Sequence, residues 1–326
     1  MDIAQLTDEA HRAVLELLPP DLMDLTDIAA ASDRFTALLA ARPAVIPDGV
    51  EVDDHLVPLA DGHQLVVRVY RSSSARPMSP GLLWIHGGGM VLGDVSMNDG
   101  ECAAMANELD IVVASVDYRL APAFPYPVPL DDCYAGLSWF FGAAGLLGLD
   151  ADRIAIGGAS AGGGLAAGLA LLARDRGEMR PCFQLLTYPM LDDRNDTPSS
   201  HGVTDLRLWN RDANLTGWDA YLNGRAGGDD IAAYAAPSRA TDLADLPPAM
   251  ITVGALDMFL DEDIAYAHAL LRAGVPTELH VYPGSFHGAN ALVPHAAASR
   301  RWRRDEFEAL DQALNQDRTK RTDIQQ

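Results

Sequence analysis

Positive charge is scarce in this chain: 24 lysines and arginines stand against 46 aspartates and glutamates in 326 residues, a formal net charge of −22. A surplus of that size repels polyanions over long distances, so nucleic acid and anionic membrane surfaces are excluded as expected partners. The dense basic cluster Arg300, Arg301, Arg303 and Arg304 around Trp302 falls in a helical pattern and reads as a solvated face. Cysteine is nearly absent. Cys102, Cys133 and Cys182 are far apart and form no C-x-x-C pair, which excludes a disulfide framework and a thiolate metal site and suits a reducing compartment, with the cytoplasm as the expected location. The start, MDIAQLTDEAHRAVLELL, is acidic and amphipathic where an export signal is basic and then uniformly apolar. Long hydrophobic runs are also lacking. AGLSWFFGAAGLLGL and ASAGGGLAAGLALLA are glycine-rich and shorter than the ~20 residues a bilayer requires, so they are expected as buried helices without membrane insertion.

What is present is an alternation of two periods. Residues 1–42 carry apolar positions at three-and-four spacing, in EAHRAVLELL and LTDIAAASDRFTALLAAR, and read as helical. EVDDHLVPL and QLVVRVYR alternate like strands around the turn ADGH and read as a hairpin. There follow short apolar runs, PGLLWIHGGG, IVVASVDYR, RIAIGGAS, FQLLTYP, AMITVGALD and ELHVYP, separated by helical segments near 97–109, 131–145, 161–175, 261–273 and 296–313. Strands too apolar to have a wet face, alternating with helices, predict an α/β fold with a mostly parallel sheet covered on both sides. Residues 191–235 break the alternation with a long polar stretch of the kind used for lids and binding elements. The expected division is therefore a helical part at 1–45, a core at 46–190 and 236–315, an insertion at 191–235, and a polar, disordered tail at 316–326.

The segment GGASAGGG at 157–164 places one hydroxyl among residues with almost no side chain. A dinucleotide pattern is matched by Gly162, Gly164 and Ala167, but its glycines would lie inside the helix and not in the turn, and no lysine follows to make a Walker loop. Gly158, Ser160 and Gly162 match G-x-S-x-G after a strand and before an alanine-rich helix, the setting of a nucleophile elbow. The pattern alone equally suits a small-residue segment that lets a helix pack close to a sheet. A nucleophilic serine also needs a base and a carboxylate that orients the base, following it in the order Ser, Asp or Glu, His. His268 sits in a helical run, His295 in the final helical region, and His280 along a strand pointing into the sheet's packing; His287, in the loop PGSFHGAN, is the expected base. Asp257, just past the strand AMITVGAL, is the expected acid, with Asp261 and Glu262 reading as helix N-terminal charges. Gly88 and Gly89 of LLWIHGGGM, with Ala161 after the serine, are the expected oxyanion donors, and His86 is expected to brace the glycine loop.

HGGG, DYRLAP, GASAGGG, Asp257 in GALDMFLDE and His287 in FHG occur in that order over about residues 50–295, and together they resemble the hormone-sensitive-lipase-like esterases of the α/β-hydrolase superfamily. The resemblance implies hydrolysis of small to medium-chain acyl esters without cofactor or metal, under a cap built from the N-terminal segment and the insertion, and allows a homodimer. Met90, Tyr188, Leu206, Leu208 and Trp209 are the expected pocket residues. The chain departs from the family pattern at Ala123 and Phe124, where an acidic residue and a histidine are common, and at Ala159, usually aspartate or threonine. The same triad serves amide and lactone hydrolysis and acyl transfer, and similar plant hormone receptors that lost the histidine only bind; His287 is retained here.

Overall fold

A computed structural model describes residues 3–73 and 77–315, so the expected tail at 316–326 lies outside the described residues. Among the described residues eight strands form one sheet: β1 (Val50–Pro58), β2 (Gln64–Ser72), β3 (Ser79–Ile85), β4 (Val112–Val116), β5 (Leu149–Ala159), β6 (Gln184–Thr187), β7 (Ala249–Gly254) and β8 (Thr277–Tyr282), in the order β1-β2-β4-β3-β5-β6-β7-β8. β1 pairs antiparallel with β2 in full register from Val50↔Ser72 to Pro58↔Gln64, and β2 is antiparallel to β4; the other pairings are parallel.

The helices are α1 (Ile3–Leu6), α2 (Glu9–Leu15), α3 (Ile28–Ala40), α4 (Asp99–Leu109), α5 (Val128–Gly142), α6 (Ala144–Leu147), α7 (Ala161–Arg176), α8 (Pro198–Gly202), α9 (Arg211–Tyr221), α10 (Leu260–Arg272), α11 (Ala289–Leu292) and α12 (Ala297–Asn315). The central strands are buried throughout because both faces of the sheet are covered. Along β3, Leu83 and Ile85 join the core beneath α5 and α7, while Leu82 and Trp84 face the cluster formed with α4 and α12. That two-residue period with both sides apolar is the signature of a covered parallel sheet.

The second of the apolar stretches forms α7, in which every residue from Ala161 to Ala173 is buried; each fully buried leucine there contributes roughly 1.5–3 kcal/mol. The first stretch differs from the expected single buried helix. It divides into the end of α5, the short α6 and the start of β5, and Leu146 is exposed, because Gly148 takes a left-handed turn that redirects the chain into the strand. Two histidines also differ from expectation. His295 lies in the turn between α11 and α12. His280 is on the edge strand β8, which among the described residues pairs only with β7, so its ring remains at the surface beside Glu278 (2.6 Å) and Asp305 (3.4 Å).

The N-terminal helices and the insertion meet above the carboxyl ends of the strands. Met23 N–H donates to Leu206 C=O (2.8 Å), and Leu22, Phe35, Leu208 and Trp209 share the main core cluster. α9 is capped by Asn210, whose side chain accepts from the N–H groups of Asp212 and Ala213.

Candidate active site

The turn between β5 and α7 is centred on Ser160. Ser160 has φ 58° and ψ −122°, a conformation that costs a residue with a side chain about 1–3 kcal/mol and persists only where the surroundings impose it. They do so through two hydrogen bonds, from Ser160 N–H to Thr187 C=O (2.9 Å) and from Met190 N–H to Ser160 C=O (3.0 Å). Glycine at 162 is demanded by space, since a Cβ there would stand 2.0 Å from the carbonyl oxygen of Ile85. The small residues of this stretch thus let α7 start directly against β3.

The structure brings Ser160, His287 and Asp257 together from three loops at the carboxyl ends of β5, β8 and β7. His287 Nε2 is 3.0 Å from Ser160 Oγ, and His287 Nδ1 is 2.8 Å from Asp257 Oδ2. Asp257 is 2% exposed, and its other oxygen accepts from Phe259 N–H (3.0 Å), so its orientation is set by its own turn. The imidazole is held edge-on between Tyr188 (centroids 4.6 Å) and Phe259 (5.2 Å). Nδ1–H donating to the carboxylate leaves Nε2 able to accept the serine proton, the arrangement a general base requires. Asp261 accepts from Ser199 N–H, and Glu262, fully buried, accepts from the N–H groups of Leu191 and Asp192; neither approaches His287 in the manner of Asp257.

The glycine loop after β3 folds over the serine. Gly88 and Gly89 have φ 102° and 61°, and Gly88 C=O accepts from Val91 and Leu92 N–H. Among the described residues no acceptor engages the N–H of Gly88 or Gly89, and Ala161 opens α7, where a helix leaves its N–H unused. His86 is fully buried, stacks on Tyr118 (4.2 Å, 15°) and donates from Nδ1 to Gly87 C=O (2.8 Å); burial holds its pKa below the ordinary imidazole value. Tyr118, from DYRLAP, donates to His86 C=O (2.9 Å). Arg119 of the same motif is clamped by Asp132 through two side-chain contacts (2.8 and 2.7 Å), and its guanidinium covers Phe124.

A cavity of about 270 Å³ opens onto Ser160 and His287. Tyr188, Leu208 and Trp209 line it. Met90 and Leu206, also expected there, do not. Met90 is fully buried because the left-handed turn at 88–90 drives its side chain into the core, and Leu206 is 39% exposed because the tight turn from Asp205 to Leu208 faces it outward. The N-terminal segment, expected as part of the cap without named pocket residues, supplies a further wall, Leu22, Met23, Phe35, Leu38 and Leu39. The signal lies in α3, where Phe35, Leu38 and Leu39 fall at three-and-four spacing and so share one face of the helix.

Sheet order, elbow and convergent loops define an α/β-hydrolase. The profile of a family described as alpha/beta hydrolase fold matches residues 82–291. The chain is 36% identical over 299 residues to Carboxylesterase NlhH of Mycobacterium tuberculosis, covering 89% of this chain and 92% of that protein. It is 40% identical over 210 residues to Esterase LipI of the same organism, a match that spans 64% of this chain and 65% of LipI. Among solved structures, one titled Bacterial Heroin Esterase superposes with a TM-score of 0.91 at 41% identity, covering 96% of this chain and 99% of that one. The chain belongs to the α/β-hydrolase family, in its hormone-sensitive-lipase-like branch.

Proposed function

We propose that this protein is a serine carboxylesterase in which Ser160 is the nucleophile, His287 the general base and acid, and Asp257 the carboxylate that orients the imidazole and stabilises its positive charge. The observation that carries the reading is the continuous hydrogen-bonded run from Asp257 through His287 to Ser160, at 2.8 and 3.0 Å, across residues brought from far apart in the chain. His287 takes the Ser160 proton as Oγ attacks the ester carbonyl. The tetrahedral oxyanion rests on the N–H groups of Gly88, Gly89 and Ala161, preorganised donors of the kind that contribute several kcal/mol to such a step. The alcohol leaves with a proton from His287, and water then hydrolyses the acyl-enzyme by the same route.

A cavity of about 270 Å³ sits at the small end of ligand pockets and favours small to medium acyl esters. Its walls are mostly aliphatic and aromatic, and every step of the reaction is served by side chains and backbone groups of this chain.

The test is steady-state hydrolysis of chromogenic esters of increasing acyl length by the wild type and Ser160→Ala side by side. The expected result is a maximum at short or medium chains and a fall of several orders of magnitude in the variant. Equal activity in the two proteins refutes the assignment.

A further inference from the structure

The C-terminal helix places a carboxylate directly behind the site. Glu306, on α12, is 2% exposed, and its Oε1 accepts three hydrogen bonds, from Thr187 Oγ1 (2.7 Å), Thr252 Oγ1 (2.7 Å) and Trp302 Nε1 (2.9 Å). Burying a carboxylate is costly, and a helix that needed only to cover the sheet would do so better with leucine. The two threonines explain its presence. They are register partners across β6 and β7, and each occupies a backbone position that the site depends on.

Thr187 is the last residue of β6, and its carbonyl accepts the Ser160 N–H that holds the strained elbow. Thr252 C=O accepts the N–H of Tyr188 (2.6 Å), itself at φ 36°. The Tyr188 ring stands edge-on against His287 on one side and Trp302 (5.7 Å) on the other. The same carboxylate oxygen is therefore one hydrogen bond away from the residue anchoring the nucleophile, from the residue anchoring Tyr188, and from the indole that backs Tyr188.

Building on the triad reading above, we infer that Glu306 is a positioning residue for ester hydrolysis. Its Oε1 fixes Thr187, Thr252 and Trp302 relative to one another, and thereby sets the distance between the Ser160 elbow and the His287 imidazole. The clamp acts through acceptor geometry, so an amide oxygen in the same place should serve.

Glu306→Leu removes the acceptor at similar size, and Glu306→Gln retains one. Rates on a short-chain chromogenic ester are normalised to reactive serine, titrated with a fluorophosphonate, so that only folded enzyme counts. Glu306→Leu is expected to lower kcat on the order of 10- to 100-fold with KM within about twofold, the pattern of a misplaced reacting pair. Glu306→Gln is expected to stay within about threefold of wild type, because it preserves the acceptor on which the clamp depends. Thr187→Val should lower kcat in the same direction, and adding it to Glu306→Leu should cost little more, since the Thr187 contact is already lost there. Unchanged kcat per reactive serine in Glu306→Leu overturns the inference, as does a glutamine variant as impaired as the leucine one. Should Glu306→Leu fail to fold, Thr187→Val and Thr252→Val decide the matter: full kcat in both overturns it. Failure of the fluorophosphonate to label Ser160 in the wild type instead refutes the underlying triad reading.

Discussion

Trp209 packs against Gly89 so closely that a Cβ on that glycine would stand 1.9 Å from the indole Cη2. An insertion residue and an oxyanion-loop residue therefore share one contact, and Trp209 is fixed in it by its Nε1–H donating to Asn214 Oδ1 (3.0 Å). The covering segment thus bears directly on the loop proposed to bind the oxyanion.

Gly89→Ala should move either the loop or the indole, and at φ 61° the alanine is strained as well. A loss of about 100-fold or more in kcat/KM is expected, comparable to removing one oxyanion donor, with a smaller change in melting temperature. Ester hydrolysis and a thermal melt on the same preparation check both.

Trp209→Ala should act differently, because it vacates space in the cavity without straining the backbone. The acyl-length optimum should shift to longer chains and KM for short esters should rise, measured across the chromogenic series. An unchanged profile would remove Trp209 from the pocket.

The N-terminal segment reaches the His287 loop through His11. That ring is fully buried, 3.0 Å from Ser299 Oγ and edge-on to Phe286, while the neighbouring Asp8 N–H donates to Gly284 C=O (3.0 Å). His11→Ala leaves a hole and strips Ser299 Oγ of its nearer partner, leaving it only the longer contact to Ala289 C=O (3.5 Å), at a cost of about 2–4 kcal/mol in chemical denaturation. Because the loop carries His287, kcat should fall in protein that is still fully folded.

Glu101 on α4 is pushed from 4.5 to about 7, first by burial and then by the nearby charge of Glu306. The folded state binds this proton more tightly than the unfolded state, so the associated stability is complete below 4.5 and is lost as pH rises through about 7. Glu101→Gln removes that slope and should stabilise the protein at pH 8 relative to its effect at pH 4, by on the order of 1–3 kcal/mol in urea midpoints taken across the range.

Much of this architecture was readable along the chain. The β1–β2 hairpin and the buried parallel strands follow from a period of two, and the buried α7 from an unbroken run of small and apolar residues, all of which local sequence carries directly. Ser160 was legible because the elbow's tightness forces glycine and alanine around it, and His287 because it alone among the late histidines was read outside a helix or strand. The pocket was less legible. Met90 and Leu206 are as apolar as Leu208 and Trp209, and only the sense of two turns separates those that face the cavity from those that do not. His280 was misplaced because alternation along a strand says nothing about whether that strand lies at the sheet's edge.

By itself the sequence determined the order of strands and helices, the elbow and the late histidine loop, since each depends on steric and hydrogen-bonding demands within a few consecutive residues. Only the tertiary structure decided that Glu306 sits behind Thr187 and Thr252, that His11 buttresses the loop of His287, and that α3 walls the cavity. Those contacts join residues more than 50 positions apart in the first two cases, up to 288 for His11 and Ser299, and arise from sheet order and helix docking, which no local pattern encodes.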